Sequence, residues 1–338
     1  MKVARTTAGG SLELAEAPEP PIKTGEALIE LVYCGLCGTD LYKLADAGRT
    51  PGEVLGHEVV GRVIASRADS LAPGDRVIAP HHAPCGDCRL CRSGAETMCP
   101  RFAENLLDPG GFSERLRLKA RAVQRTVRKL DHGLADEAAA FVEPAACVLR
   151  GVDRAGLARK TPAIVVIGAG SMGLLHLLVL RAVFPGGRVV VAEPAPERRA
   201  MALELGADSA APPADAAEMA RGNLPEGGAD AVFDTAGGQE AFELALQVTR
   251  PGGRVVLFAH AAHDARVTFD INAVFRSERQ VIGAYSGSPA EQARVLHLLH
   301  EGALDPTPLV THRLPLDRAA KAVDLCRRRA ALKVLLHP

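Results

Sequence analysis

Short runs in which hydrophobic and polar residues alternate characterise the first part of the chain, where glycine and proline separate one run from the next. Clear examples are residues 27–32, 58–64 and 75–78. Successive side chains of a strand point to opposite faces of a sheet, so this period of two predicts strands that are buried on one side. Residues 1–146 are therefore expected to form a β-rich domain.

The pattern changes at about residue 147, where short apolar runs alternate with longer segments rich in alanine, leucine and glutamate. The apolar runs predict strands at residues 164–167, 188–192, 207–209, 229–234, 253–259 and 280–283. The longer segments predict helices, including residues 170–183, 196–205 and 239–248. Strands and helices that alternate in this way indicate a doubly wound parallel sheet, so we expect an α/β domain at residues 147–283.

The last segment, residues 284–338, contains one or two predicted helices and a terminal strand at residues 333–336. A segment of this length is too short to bury a core of its own. We therefore expect it to complete the first domain.

Composition narrows the function classes. The 338 residues include 40 Lys and Arg against 40 Asp and Glu, so no net field attracts nucleic acid or an anionic membrane. Aromatic residues make up only 4% and tryptophan is absent, which disfavours nucleic-acid binding by base stacking. Glycines interrupt the longest apolar stretch, residues 163–180, and the first residues lack the apolar region of a secretory signal. We expect a cytoplasmic protein with reduced thiols.

A glycine motif, G-A-G-S-M-G at residues 168–173, follows a predicted strand and opens a predicted helix. Its glycines permit a tight turn, the approach of a pyrophosphate to backbone N–H groups, and close packing of helix on strand. Glu193 ends the next strand, where a carboxylate accepts the ribose hydroxyls of NAD and repels the 2′-phosphate of NADP. Together these features disfavour a glycine turn that binds no nucleotide. The candidate cofactor-binding residues are Gly168, Gly170, Ser171, Met172, Gly173, Glu193, Arg198 and Thr235.

The choice between the two dinucleotides rests on few residues. Arg198 and Arg199 follow Glu193 closely, and their guanidinium groups could hold a 2′-phosphate. The carboxylate of Glu193 argues for NAD, which we favour over NADP.

Eight cysteines are too few for a disulfide scaffold in a chain of this length, so their positions matter more than their number. Four of them, Cys85, Cys88, Cys91 and Cys99, lie within fifteen residues. Four thiolates at this spacing can form a closed tetrahedral shell around a structural zinc ion. The alternatives are local disulfides, which a reducing compartment disfavours, and a four-cysteine iron–sulfur cluster.

A second set of metal-binding residue types is spread over the chain at Cys37, His57, Glu58 and Glu143. Cysteine, histidine and carboxylate together are typical of a zinc site that keeps one position open for water or substrate. Spacing alone does not link residues so far apart. Taken singly, His57 could be a hydrogen-bonded core histidine and Cys37 a small packing residue.

Taken together, the motifs resemble those of the zinc-dependent medium-chain alcohol dehydrogenase family, in its branch of polyol (sorbitol-type) and threonine dehydrogenases. The resemblance covers essentially the whole chain. It is carried by C-G-T-D at 37–40, G-H-E at 56–58 with Gly61, G-D-R-V at 74–77, the four cysteines, E-P at 143–144 and the glycine motif. It implies a GroES-like β-rich catalytic domain and a Rossmann dinucleotide-binding domain.

The resemblance also implies roles for individual residues. Cys37 and His57 would be the first two ligands of a catalytic zinc, Glu58 a ligand or close neighbour, and Glu143 the third ligand, directly or through water. Asp40 would orient the ligand histidine. Thr39 would pass the hydroxyl proton of the substrate toward solvent, and Lys333 would lie near the cofactor.

Two positions depart from the family pattern, Tyr42 and Arg67, and Arg67 stands where the zinc signature of the family usually has glycine or alanine. Tyr42 stands where many relatives have the histidine that ends the proton relay, which leaves the exit route of the proton open. His81 and His82 precede the four cysteines, and we interpret them as structural residues or as part of the substrate rim.

The resulting hypothesis is an enzyme that transfers hydride from a secondary alcohol, polyol or cyclitol to NAD and forms the ketone. It would contain two zinc ions per chain, one catalytic and one structural, and form a homodimer or homotetramer without nucleic-acid or membrane partners. The alternatives are a metal-independent NAD(P)H quinone or enone reductase and a non-catalytic nucleotide-binding protein on the same scaffold.

Overall fold

A computed structural model describes residues 1–46, 48, 50–261 and 264–338. The chain forms two compact units. The first unit comprises Met1–Pro144 and Ser288–Pro338, and the second comprises Ala145–Gly287. None of the helices in the described residues combines the length and the hydropathy needed to cross a membrane.

The strands of the described residues are numbered along the chain. They are β1 (Lys2–Thr6), β2 (Leu12–Glu16), β3 (Ala27–Gly35), β4 (Glu58–Ser66), β5 (Arg76–Ile78), β6 (Leu107–Asp108), β7 (Arg115–Leu118), β8 (Arg128–Lys129), β9 (Ala163–Ile167), β10 (Arg188–Ala192), β11 (Ser209–Ala211), β12 (Ala229–Asp234), β13 (Thr249–Leu257), β14 (Gln280–Gly283), β15 (Val310–Pro315) and β16 (Lys333–His337).

The helices are numbered in the same way. They are α1 (Gly38–Ala45), α2 (Arg89–Arg92), α3 (Ala120–Arg125), α4 (Asp136–Ala139), α5 (Val142–Ala155), α6 (Ser171–Val183), α7 (Pro196–Glu204), α8 (Pro213–Asn223), α9 (Gln239–Val248), α10 (Ile271–Phe275), α11 (Pro289–His300) and α12 (Ala319–Arg327).

The first unit is built on a mixed sheet in the order β15-β16-β3-β4-β5-β8, with β7 paired to both β3 and β6. Strands β3 and β4 are antiparallel, and their register places Gly35 opposite Glu58. The C-terminal strand β16 pairs with the other edge of β3, with Leu335 opposite Gly35. The end of β3, the start of β4 and the final strand therefore meet at one place in the sheet.

Close packing fixes the chain just before β4. Gly56 adopts a left-handed conformation with φ +90°, and a Cβ there would lie 2.6 Å from the ring of Phe112. Phe112 is fully buried in the hydrophobic core of this unit. Only glycine combines this backbone angle with this close approach, so the position of the neighbouring His57 is set by the core.

The second unit contains a six-stranded parallel sheet in the order β11-β10-β9-β12-β13-β14. All five residues of β9 are buried, as expected for a central strand covered by helices on both faces. This order confirms the predicted α/β fold with a doubly wound parallel sheet. Strand β13 begins at Thr249, earlier than the predicted residue 253, because an irregularity in its pairing with β12 lets it continue through Pro251 and two glycines.

Candidate metal centres and dinucleotide loop

Three metal-binding side chains distant in sequence meet in the first unit. One ligand atom each of Cys37, His57 and Glu58 lies within 4.8 Å of the others, and we call this group the mixed-ligand cluster. Cys37 lies between the end of β3 and the start of α1, while His57 and Glu58 stand at the start of β4. The antiparallel register of β3 and β4 is therefore what brings the three together.

The helix cap of α1 fixes Cys37. Its Sγ accepts a hydrogen bond from the N–H of Thr39 at 3.5 Å, and its own N–H donates to Oδ2 of Asp40 at 3.0 Å. This reciprocal arrangement is a capping box with cysteine in the position usually held by serine or threonine. The cap therefore holds the sulfur atom of Cys37 at the N-terminus of α1.

Asp40 also holds His57. The carboxylate is fully buried, and its Oδ1 lies 3.3 Å from His57 Nδ1 and accepts a bond from the N–H of Gly56 at 3.3 Å. Burial disfavours a charged imidazole, but the charges of Asp40 and Cys37 outweigh burial and raise the pKa of His57 well above its usual value. The same negative surroundings favour a bound cation.

Glu58 has a partner that the sequence did not predict. Both of its oxygens accept bonds from Lys333 Nζ, at 2.7 and 2.6 Å, and both side chains are buried. Gly35 makes room for this pair, since a Cβ there would lie 1.8 Å from Oε2 of Glu58. The resemblance assigned Lys333 to the cofactor. The structure gives its ammonium group a buried carboxylate as partner, because β16 pairs with β3.

The other expected site residues of this unit lie around the cluster. Glu143 is half-buried on the first turn of α5 and is not among the three converging donors of the described residues. It does act on Lys333: burial opposes the charge of that lysine, but Glu58, Cys37 and Glu143 outweigh burial and raise its pKa. Thr39 is half-buried in the first turn of α1, and Tyr42 is exposed on the same helix.

The four remaining metal-site cysteines also converge. The sulfur atoms of Cys85, Cys88, Cys91 and Cys99 all lie within 4.8 Å of one another, and we call residues 85–102 the four-cysteine lobe. All four are free thiols, including Cys85 and Cys91 at an Sγ–Sγ distance of 3.8 Å. Backbone N–H groups of Cys85 and Gly86 point at sulfur atoms, each at 3.4 Å. Such a group fits a closed zinc site.

Arg125 supports this lobe, a contact that the sequence did not reveal. Its Nη2 donates to the carbonyl oxygen of Cys85 at 3.1 Å. Its guanidinium group also lies against Gly86, where a Cβ would come within 2.4 Å of it, and where φ is +86°. The glycine between the first two cysteines was the available signal, because it marks a close approach of another group.

His81 and His82 connect the two metal-binding groups. The ring centroid of His81 lies 4.5 Å from that of His57 and 3.5 Å from that of His82, and His82 lies 5.2 Å from Phe102 of the four-cysteine lobe. Burial, together with the charge of nearby His57, lowers the pKa of both imidazoles, that of His82 to about 3. Both rings are therefore neutral near pH 7.

The glycine motif of the second unit forms the turn between β9 and α6. Gly168 has φ +94°, and a Cβ on Gly173 would lie 1.9 Å from the carbonyl oxygen of Gly168. Gly170 caps α6, and the next residue, Ser171, has a buried Oγ without a hydrogen-bond partner in the described residues. Met172 follows in the first turn. Free N–H groups and an unpaired hydroxyl at a helix N-terminus fit a phosphate group.

Neighbouring strands brace this turn. Glu193 follows β10 and is buried; its Oε2 accepts from the N–H of Ala169 at 2.6 Å and its Oε1 from that of Ala195 at 3.0 Å. Thr235 follows β12, and its hydroxyl donates to the carbonyl oxygen of Ile167 at 2.7 Å. The structure therefore brings Glu193 and Thr235 to the glycine turn, as the sequence predicted.

The two arginines after Glu193 differ in their contacts. A guanidinium nitrogen of Arg198 lies 3.9 Å from the position of a Cβ on Gly170, which places Arg198 beside the glycine turn. Arg199 donates instead to the backbone carbonyl oxygens of Glu193 and Pro194, at 2.8 and 2.7 Å.

Known sequences match both units. The chain matches the family "Alcohol dehydrogenase GroES-like domain" over residues 23–128 and "Zinc-binding dehydrogenase" over residues 172–301. A sorbitol dehydrogenase of Bombyx mori is 29% identical over 96% of this chain and 95% of its own. A D-altritol 5-dehydrogenase of Agrobacterium fabrum is 31% identical, and the match covers 91% of this chain and 90% of that protein. An L-threonine 3-dehydrogenase of Pyrococcus horikoshii is 28% identical, and the match covers 98% of this chain and 97% of that protein.

Solved structures agree with these matches. An alcohol dehydrogenase from Thermus sp. ATN1 superposes with a TM-score of 0.89 at 29% identity, covering 100% of this chain and 99% of that one. A zinc-binding dehydrogenase from Sinorhizobium meliloti 1021, solved bound to NADP, has a TM-score of 0.87 at 26% identity and covers 100% and 99%. The chain is a dehydrogenase that belongs to the zinc-binding medium-chain alcohol dehydrogenase family, in the branch of polyol and threonine dehydrogenases.

Proposed function

We propose that the protein oxidises a secondary alcohol, polyol or cyclitol to the corresponding ketone, with zinc and NAD as cofactors. The observation that carries this proposal is the mixed-ligand cluster, in which Cys37, His57 and Glu58 converge within 4.8 Å. This donor set suits a zinc ion with an open position. The polyol dehydrogenases among the relatives, acting on sorbitol and D-altritol, support the substrate class.

Two zinc ions per chain follow from the two groups of ligands. Cys37 and His57 would hold the catalytic ion together with Glu58 of the same cluster or with Glu143, directly or through water. The bonds that Lys333 donates to both oxygens of Glu58 favour Glu143 as the third ligand and Glu58 as its close neighbour. The four-cysteine lobe would hold the structural ion through Cys85, Cys88, Cys91 and Cys99. When bound, the catalytic zinc supplies Lewis-acid activation of the substrate hydroxyl, and NAD accepts the hydride.

The chain's own residues then orient the reactants and handle the proton. Asp40 keeps the ring of His57 in place through the 3.3 Å contact with Nδ1. Thr39, in the first turn of α1, would receive the hydroxyl proton of the substrate and pass it outward. The exposed Tyr42 replaces the histidine that ends this relay in many relatives, so its phenol is the candidate for the last protein step.

We assign the dinucleotide to the turn formed by Gly168, Gly170, Ser171, Met172 and Gly173, with Glu193, Arg198 and Thr235 around it. NAD is preferred over NADP because a buried carboxylate at Glu193 would repel a 2′-phosphate. Arg199 supports this choice, since its guanidinium group is already bonded to two backbone carbonyl oxygens.

We also propose that the enzyme is a cytoplasmic homo-oligomer, a dimer or tetramer, with no nucleic-acid or membrane partner. All eight cysteines are free thiols, as expected in a reducing compartment. Self-association is supported by exposed apolar side chains grouped around β14, the strand at one end of the parallel sheet.

The test combines metal analysis with a substrate screen. The purified protein should contain two zinc ions per chain and reduce NAD with members of a polyol and cyclitol panel. Complete chelation should abolish turnover, and added zinc should restore it. Turnover that survives complete metal removal would contradict the proposal. Metal-independent reduction of quinones by NAD(P)H would instead favour the reductase alternative.

A further inference from the structure

A row of four rings links the two metal-binding groups of the first unit. His81 packs against His57 with ring centroids 4.5 Å apart, and His82 stacks on His81 at 3.5 Å with an interplanar angle of 29°. Phe102 closes the row, with its centroid 5.2 Å from that of His82. The row therefore runs from a candidate zinc ligand to the four-cysteine lobe.

The far end of the row belongs to the core of the four-cysteine lobe. Phe102 is buried and forms a hydrophobic cluster with Cys91 and Cys99, against which Cys85 and Cys88 also pack. In the described residues the cluster consists of these five side chains. A metal ion that holds the four sulfur atoms together therefore also holds the ring of Phe102 in place.

The backbone joins the row to both ends of the lobe. His81 and His82 stand just before Cys85, and the carbonyl oxygen of His81 accepts a bond from the N–H of Leu106 at 3.0 Å, just after the lobe. The chain thus enters the lobe beside His81 and returns to it. A change in the lobe reaches the ring of His81 both through Phe102 and through this backbone contact.

At the near end of the row, His81 restrains the part of His57 that its polar contact with Asp40 leaves free. Oδ1 of Asp40 lies 3.3 Å from Nδ1 of His57, but a contact at one atom lets the imidazole tilt about that atom. The ring of His81, inclined at 42° to that of His57, limits this tilt. The Nδ1 atoms of His81 and His82 are buried without a hydrogen-bond partner in the described residues, so ring packing is what these side chains offer there.

We propose that His81 and His82 are positioning residues, which orient His57 by ring packing and so make binding of the catalytic zinc depend on the zinc in the four-cysteine lobe. This inference rests on the proposed function, because it requires both groups to bind zinc. The occupied and the empty lobe would then differ in the affinity of the mixed-ligand cluster for its ion, and by linkage the reverse also holds.

The first test measures the release of zinc from the loaded protein to an excess of a coloured chelator. The release phase that is missing in Cys37→Ser identifies the mixed-ligand cluster. We expect His81→Ala to speed up this phase about 10- to 100-fold, as when a group that supports a metal ligand is lost. His81→Phe keeps a ring in the row and should restore the wild-type rate.

The matched control is Leu71→Ala. Leu71 is buried in the hydrophobic core of the same unit, beyond the opposite end of β4 from His57. Its truncation lowers the stability of the unit without touching the row, so zinc release from the mixed-ligand cluster should keep the wild-type rate.

A double-mutant cycle tests the coupling between the two metal sites. Cys91→Ser opens the structural site and should speed up zinc release from the mixed-ligand cluster in the wild-type background. Combined with His81→Ala it should add little, because the row is already broken. Phe102→Ala leaves all four cysteines in place and should act like Cys91→Ser, as should His82→Ala.

Unchanged release in His81→Ala, no rescue by His81→Phe, or an equal effect of Cys91→Ser in both backgrounds would overturn the inference. A wild type that binds no metal at the mixed-ligand cluster would refute the proposed function instead. Hydrogen exchange at residues 55–60, measured by mass spectrometry, then still decides whether the rings hold His57. Faster exchange in His81→Ala than in His81→Phe would support the inference, and equal exchange would overturn it.

Discussion

At the scale of single residues, buried charged and polar side chains determine the electrostatics of the mixed-ligand cluster. Asp40 and Glu58 are both fully buried carboxylates, but they are satisfied differently. Asp40 accepts bonds from the N–H groups of Cys37 and Gly56 and lies against His57, while Glu58 faces the ammonium group of Lys333. Asp40 therefore adds negative charge beside His57, which favours a cation at this place, whereas Lys333 offsets the charge of Glu58.

His176 gives a prediction at this scale that is independent of the metals. It is fully buried in α6, between the rings of Phe233 and Phe258, with Nδ1 2.7 Å from the carbonyl oxygen of Met172. Burial lowers its pKa from 6.5 to about 4. Between these values the unfolded chain binds a proton that the folded chain does not, so this residue makes the protein less stable as pH falls from about 6.5 toward 4.

Replacing His176 by leucine should remove this pH dependence. Between pH 7 and pH 5 the free energy of unfolding of the wild type should fall by about 2 kcal/mol relative to His176→Leu, from the width of the pKa shift. Urea unfolding at both pH values measures this difference. The exposed His132→Leu serves as control and should follow the wild type. A gap between wild type and His176→Leu that is the same at both pH values would refute the argument.

At the scale of secondary-structure elements, both candidate sites lie where a strand gives way to a helix. Cys37 caps α1 just after β3, and Gly170 caps α6 just after β9. Such junctions expose backbone N–H groups that are not yet part of the helix ladder. One junction directs them at a carboxylate and a sulfur, and the other is where we propose that a phosphate of the dinucleotide binds.

The two junctions differ in how far the sequence could predict them. The β9–α6 turn is local, so its glycine spacing and the strand before it were enough. The doubly wound parallel sheet followed from the alternating patterns, although β11 lies at Ser209–Ala211 instead of the predicted 207–209. The four cysteines of the four-cysteine lobe are local too, since they lie within fifteen residues. The mixed-ligand cluster depends on the pairing of β3 with β4, which no local pattern encodes. It was reached only through the family resemblance.

Lys333 shows most clearly which contacts could not be predicted from the sequence. Its partner Glu58 lies 275 residues earlier in the chain, and the contact exists because β16 pairs with β3. The strand at residues 333–336 was predictable from its apolar pattern, but its neighbour in the sheet was not. A buried lysine beside a glutamate was therefore not predictable from the sequence, and the resemblance placed Lys333 only near the cofactor.

Substitutions in the two cysteine groups should separate structural from catalytic roles. Cys91→Ser removes one of four ligands from a closed site, so we expect a lower Tm, by about 2–4 °C for each kcal/mol lost. Cys37→Ser should abolish NAD-dependent oxidation with little change in Tm, because the cap of α1 tolerates serine. Calorimetric melting and steady-state assays of the zinc-loaded variants measure both effects.

Cys326→Ser is the control for this pair, since Cys326 is a half-buried thiol outside both groups. It should retain activity and lose little stability. Equal decreases in Tm for Cys37→Ser and Cys91→Ser would contradict the division into a catalytic and a structural site.

At the scale of the whole molecule, the distribution of exposed apolar side chains is uneven. Seven of the twelve large hydrophobic residues that are exposed in the described residues fall between positions 257 and 285. The most exposed are Ile271 at 72% and Phe275 at 76%, both on α10. The segment includes β14, which stands at the end of the parallel sheet. Grouped exposure of this kind marks an interaction surface, and a strand at a sheet edge can pair with a second copy.

Since we propose that this segment joins two copies of the chain, charged residues introduced into it should weaken self-association. The wild type at micromolar concentration should sediment at a multiple of its 35.5 kDa chain mass. The double change Ile271→Glu and Phe275→Glu should shift it toward the monomer, because charges in an apolar interface must be desolvated. Leu203→Glu, which charges another exposed apolar residue of the same unit, should leave the mass unchanged. A monomeric wild type, or a double variant that keeps the full mass, would show that this segment does not join two copies of the chain.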